Sequence, residues 1–170
     1  MTIKQLEQKA NDVRKDIIRM LVAAGSGHSA GPLDLAEIIT TLYFDVMKIR
    51  PEEPEWDGRD YFFLSNGHCV PVQYAVMAER GYFPVEELLT LRKFGSRLQG
   101  HPERTMLPGL ENTSGPLGSG LSQAAGVAYT LQIINRELQR FVYVVCGDGE
   151  LNEGNIWEAA MFAGKYNLVK

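Results

Sequence analysis

The sequence predicts an α/β fold in which helices flank a mostly parallel sheet. Three observations carry this. Amphipathic helical patterns alternate with isolated apolar runs short enough to be strands, at residues 61–64 and 141–146. Both runs end in polar, glycine-containing turns, Ser65-Asn66-Gly67-His68 and Gly147-Asp148-Gly149. The second run, Phe141-Val142-Tyr143-Val144-Val145-Cys146, is apolar on both faces, as a central strand of a parallel sheet must be.

The elements follow in order. Ile3, Leu6, Val13, Ile17, Leu21 and Ala24 recur mostly three or four apart with charges between them, which predicts an amphipathic helix over residues 3–24, stopped by Gly25 and Gly27. Pro32 suits the first turn of a second helix reaching about residue 46, with Leu35, Ile38, Ile39 and Leu42 on its apolar face. Residues 50–60 carry acids and prolines and read as an exposed connector. After the strand at 61–64, helices are expected at about 70–79 and 85–91, then a long irregular segment over 95–115. Irregular segments of that length are commonly functional. The small residues Ala124, Ala125, Gly126 and Ala128 predict a closely packed helix within residues 117–138. A last helix is expected over 152–166, with Asn167 capping it and residues 168–170 opening a further strand.

The chain has 170 residues, 45% of them hydrophobic and 22% charged, which suits one globular domain with a real core. Lys plus Arg number 17 against 21 Asp plus Glu, a formal charge of -4, so no general basic field attracts nucleic acid or anionic lipid. Cys69 and Cys146 form neither a CxxC pair nor a zinc spacing, which fits a reducing compartment. The charged N-terminus is no signal peptide, and no apolar run approaches a membrane span. A cytoplasmic location is expected.

In open α/β sheets ligands sit beyond the carboxyl ends of strands, where free backbone amides converge, so the two strand-end turns are expected to face one site. Either turn alone is also explained by glycine supplying a positive φ. Asp148 is a hard oxygen ligand between two glycines, with nothing bulky to keep a metal-bound diphosphate from the backbone. A calcium EF-hand is excluded because Glu153 stands where that loop needs Gly. Magnesium, held by one or two carboxylates plus phosphate oxygens, suits a single ligand. Glu150, Glu153 and Glu158 lie around the start of the last helix, and for Glu150 the favoured reading is interaction with solvent and the helix dipole.

All three histidines, His28, His68 and His101, follow a glycine in a loop. They lack metal-pair spacing, so proton transfer and hydrogen bonding to oxygen are expected of them. Gly115-Pro116-Leu117-Gly118-Ser119-Gly120 enters a helix but lacks the dinucleotide fingerprint. It is either a turn before close helix packing or a backbone wall for a flat or anionic ligand.

Taken together and in order, Ser26-Gly27-His28-Ser29-Ala30-Gly31-Pro32-Leu33, Leu64-Ser65-Asn66-Gly67-His68, Gly100-His101-Pro102-Glu103, the 115–121 stretch and Gly147-Asp148-Gly149-Glu150-Leu151-Asn152-Glu153-Gly154 resemble the transketolase family of thiamine diphosphate enzymes of the pentose phosphate pathway. Deoxyxylulose phosphate synthases share the Gly-Asp-Gly and an early Gly-His, but not Asn66-Gly67-His68 or Gly100-His101-Pro102-Glu103.

The resemblance implies the following. The activity is transfer of a two-carbon ketol unit between sugar phosphates. Asp148 binds a divalent metal, Mg2+ or Ca2+, and Gly149 the cofactor diphosphate; Gly115 and Leu117 contact thiamine, and His68 and His101 line cofactor and donor sugar. His28 assists proton transfer, and Glu153 and Glu158 lie at a dimer interface. The resemblance further implies that Lys170 falls before the second metal-binding residue and before the pyrimidine-binding domain, so that the chain holds at most half a site. It would then be a truncated piece or part of the N-terminal subunit of a split enzyme, inactive alone and completed by a pyrimidine-binding partner. A non-catalytic assembly module and a deoxyxylulose phosphate synthase-like enzyme are the alternatives.

Overall fold

The structure is a computed structural model and describes residues 1–134 and 139–169. Helix α1 (Ile3–Ala24) begins at a capping box: the Gln5 amide donates to Thr2 Oγ1, and the Thr2 amide to Gln5 Oε1. It ends at Gly25, whose φ of 64° is a left-handed cap. The predicted second helix is interrupted. It forms α2 (Ala30–Asp34) and α3 (Ala36–Thr41), then a π-turn at Leu42–Val46; the break is a local unwinding at Leu35, whose ψ of -3° departs from the helix although its amide still donates to the Gly31 carbonyl and its carbonyl accepts from the Ile39 amide. Pro32 sits buried in the first turn of α2, where its missing N–H costs nothing.

Strand β1 (Tyr61–Leu64) falls where the apolar run predicts it. A 3-10 turn at Gly67–Cys69 leads into α4 (Val70–Arg80), which is buried along almost its whole length against α1 and α3. The helix expected at 85–91 is a 3-10 segment, Val85–Thr90. Helix α5 (Ser119–Ile134) packs on both strands, and the expected continuation to 138 falls outside the described residues.

Strand β2 (Val142–Val145) pairs with β1 in parallel, Tyr61 beside Val142 through Leu64 beside Val145. The run expected to be a central strand has a partner on one edge only among the described residues. The four residues of β2 are half-buried, and Phe141 is exposed. A 3-10 turn, Gly149–Asn152, precedes α6 (Gly154–Lys165), so the last helix starts later than expected. Asn167 does cap it. With φ 48° it donates to the Gly164 carbonyl while the Leu168 amide donates to Ala163, a Schellman arrangement. Leu168 and Val169 are not a strand, and Lys170 lies outside the described residues.

The core lies between α1, α3, α4 and one face of β1, built from Ile17, Met20, Ile39, Tyr43, Leu64, Tyr74 and Met77. Tyr43 meets the Phe62 ring edge-on at 5.4 Å between centroids. This rigid layer fixes where β1 ends.

Candidate functional site

The site is assembled at the carboxyl ends of the two strands. Leu64, last in β1, has its carbonyl capped by the Ser114 hydroxyl (2.8 Å) and the Asn112 side-chain amide (3.2 Å), so the long 95–115 segment is tied to the strand end. Helix α5 enters by direct backbone approach: a Cβ on Gly120 would stand 2.5 Å from Ser65 Cα, a distance that only glycine permits. The second turn faces the first, since a Cβ on Gly147 would touch Asn66 at 3.4 Å. The two strand-end turns thus lie side by side, as the expected common site requires.

Glu150 joins these pieces. It is 1% exposed, and its carboxylate accepts three hydrogen bonds: from the Ser65 hydroxyl (2.7 Å) and the Gly118 amide (2.6 Å) at Oε1, and from the Gly147 amide (2.8 Å) at Oε2. The solvent-and-dipole reading of Glu150 is therefore corrected. A buried carboxylate requires such partners. Its charge adds to burial, the larger cause, in pushing the Cys69 thiol up to about 11 and the Cys146 thiol above its ordinary value. Both cysteines are thiols without a disulfide.

The three histidines converge from three separate loops. His28 and His68 meet edge-on with ring centroids 5.1 Å apart. His101 lines an open cleft of about 700 Å³ with Arg92, Gln99, Glu103, Thr113 and Ser114. Burial holds its pKa below 6.5, helped by the positive potential of His68, Arg92 and His28, so its neutral form persists to lower pH than in a free imidazole. Arg92 has φ 60°, uncommon for a non-glycine residue; its amide donates to the Leu98 carbonyl, and its guanidinium reaches Ser26 Oγ at 3.3 Å and lies against Gly100.

Asp148 and Gly149 lie exposed just past β2, and Asp148 has no side-chain hydrogen bond or ion pair to any described residue. Gly115 is half-buried and Leu117 is 39% exposed in the glycine-rich loop. Glu153 and Glu158 are exposed, on the same α6 segment as exposed Trp157 and Met161.

Among the described residues no group of three His, Cys, Asp or Glu side chains could hold a metal. Asp148 thus offers one hard oxygen ligand, a donor set that fits magnesium drawing its remaining ligands from phosphate oxygens and elsewhere. A Cβ on Gly115 or Gly149 would meet nothing within 4 Å, so the backbone on both sides of the site is open to an approaching diphosphate or ring. The residues present fit both groups.

A family model described as "Transketolase, thiamine diphosphate binding domain" matches residues 6–170. The chain belongs to the transketolase family. Among its relatives, a 6-deoxy-6-sulfo-D-fructose transketolase subunit from Clostridium sp. strain MSTE9 is 43% identical, covering 96% of this chain and 58% of the relative. An apulose-4-phosphate transketolase subunit from Phocaeicola vulgatus is 38% identical, covering 99% of this chain and 59% of the relative. The solved structure of transketolase from Leishmania mexicana superposes with a TM-score of 0.88 at 38% identity, over 94% of this chain and 25% of that one. The chain thus spans somewhat over half the length of these curated subunits and a quarter of that transketolase.

Sequence reading proposes the histidines, Gly115, Leu117, Asp148 and Gly149 for the candidate site, and the structure brings them toward one end of the sheet. It misses Glu150, Arg92, Ser114 and Asn155. No spacing rule separates Glu150 from exposed Glu153; Ser114 and Asn155 matter only through contacts made across the fold. The Asn155 amide donates to the Leu117 carbonyl at 3.4 Å.

Proposed function

We propose that this transketolase-family chain supplies the diphosphate and metal side of a thiamine diphosphate site that transfers a two-carbon ketol unit from a ketose phosphate to an aldose phosphate. The observation that carries the reading is the convergence of His28, His68 and His101 with the glycine-rich loop and Asp148 at the carboxyl ends of parallel β1 and β2.

Thiamine diphosphate, when bound, supplies an electron sink for the carbanion equivalent left by cleaving a ketose beside its carbonyl. The chain's own residues bind and move protons. In this reading Asp148 holds Mg2+ (or Ca2+), the Gly149 backbone faces the diphosphate, and Gly115 and Leu117 contact the thiamine rings. His101, kept neutral by its surroundings, accepts a proton from a donor-sugar hydroxyl at its free ring nitrogen; His68 and His28 donate hydrogen bonds to sugar oxygens around it. Glu153 and Glu158, beside Trp157 and Met161, lie at an interface with a second chain that carries the pyrimidine-binding domain, in a homo- or hetero-oligomer of the cytoplasm. The lengths of the subunit-type relatives support such an assembly.

The test is Asp148→Ala in the complete natural assembly containing this chain. Cofactor affinity in the presence of magnesium, measured by calorimetry, should fall by about 10- to 100-fold, as losses around a metal site typically do. Unchanged affinity would remove the metal from Asp148. The wild-type assembly should turn over a ketose phosphate, and 6-deoxy-6-sulfo-D-fructose, the sugar named for the Clostridium relative, belongs in the donor panel. Cofactor binding without turnover of any donor would favour the non-catalytic assembly role.

A further inference from the structure

We propose that Glu150 is a positioning residue that locks the glycine-rich loop and the Gly147-Asp148 turn to the end of β1 as one rigid unit. This rests on the cofactor reading given above. The side chain reaches three pieces of chain that are remote in sequence: Ser65 just past β1, Gly118 in the glycine-rich loop, and Gly147 just past β2. Each is a donor, and each points at a carboxylate that is almost wholly withdrawn from water. An oxygen acceptor with two equivalent ends satisfies them all; no neutral side chain of that length does.

The geometry explains two further features. Gly118 has φ 83°, a left-handed conformation that turns its amide toward Glu150 Oε1, and a Cβ there would overlap the Asn155 side chain. Asn155 in turn donates to the carbonyl of Leu117. The loop carrying Gly115 and Leu117 is therefore gripped twice by the segment that follows Asp148. Displacing that segment moves both walls of the site together, and releasing Glu150 uncouples them. Charge-assisted hydrogen bonds of 2.6 to 2.8 Å to two backbone amides and one hydroxyl are short and directional, which suits a register pin better than a flexible contact.

The substitution Glu150→Gln keeps size and removes one acceptor: whichever way the amide is oriented, an N–H₂ group faces a donor. In the complete assembly the affinity for thiamine diphosphate with magnesium should fall about tenfold, the lower end of what supporting partners of a metal site cost. Amide hydrogen exchange should quicken over residues 115–120 and 146–149, while the KM for the ketose donor stays unchanged. Ser65→Ala removes one of the three donors and leaves Glu150 both amides, so its effect should have the same pattern and be smaller. It also keeps the test decisive if Glu150→Gln does not fold. A lowered Tm with unchanged cofactor affinity and unchanged exchange in these segments would overturn the proposal and leave Glu150 a purely structural group. Asp148→Ala separates the two readings. Unchanged affinity in that variant defeats the cofactor placement itself, whereas a loss in Asp148→Ala with none in Glu150→Gln or Ser65→Ala defeats the positioning role alone.

Discussion

His101 is the residue whose charge state the fold sets most clearly. Burial first, and then the positive potential of His68, Arg92 and His28, lower its pKa from 6.5. The unfolded chain therefore binds this proton at a higher pH than the folded one, so the associated stability is present above 6.5 and is lost as pH falls from there through the folded value. If His101 accepts a proton in turnover, the acid limb of kcat/KM lies below 6.5, and Arg92→Gln, by removing one positive neighbour, should move that limb upward. A limb that stays in place would show that another group governs it. His101→Ala should cost roughly 10²- to 10⁴-fold in turnover, the usual worth of acid–base catalysis, with little change in Tm. At this scale the sequence marks histidines and Asp148 well, because few residue types carry such chemistry. It does not mark Glu150, whose role depends on burial and on donors 85 and 32 residues away.

Among the elements, β1 and α1 are legible because their apolar patterns and stop signals are local, and the cap of α6 is legible because asparagine tolerates the left-handed backbone that Asn167 adopts there. The interruption at Leu35 is not legible, because the helix periodicity runs straight across it. Nor is the exposure of β2, where an apolar run shows what a strand can bury and not what lies beside it. The seating of α5 on β1 gives a sharp test. A methyl group at Gly120 would press on the Ser65 backbone, which cannot yield as a flexible side chain would. Gly120→Ala should therefore destabilise by about 1–3 kcal/mol through overpacking, visible as a lowered midpoint in urea. A midpoint within error of wild type would mean that α5 can shift away from the strand at no cost.

Across the whole molecule, one charge cluster ties the first helix to the layer behind the site. Asp16 on α1 is 4% exposed, beside Glu79 of α4, with Arg19 at 3.3 Å; Lys9 reaches Glu79 at 2.6 Å. Burial, then the hydrogen bond and charge of Glu79, raise the Asp16 pKa above 3.8. A raised carboxyl pKa means that the folded state holds its proton more tightly than the unfolded one, so stability falls as pH rises from 3.8 through the folded value. Asp16→Asn should stabilise the chain by on the order of 1 kcal/mol at pH 7, and the gain should vanish below pH 4. Equal gains at both pH values would assign the effect to packing.

The α/β class, the first strand, the family resemblance and the residues able to carry proton and metal chemistry are all legible in the order of the residues. These follow from short-range pattern and residue type, which the chain carries wherever it is placed. Packing alone brings His28 against His68 with His101 within reach of their charges, leaves β2 half-open, and makes Glu150 a buried acceptor while Glu153, three positions on, faces solvent. Those outcomes depend on which surfaces are withdrawn from water together, and desolvation belongs to the packed assembly, not to any one segment.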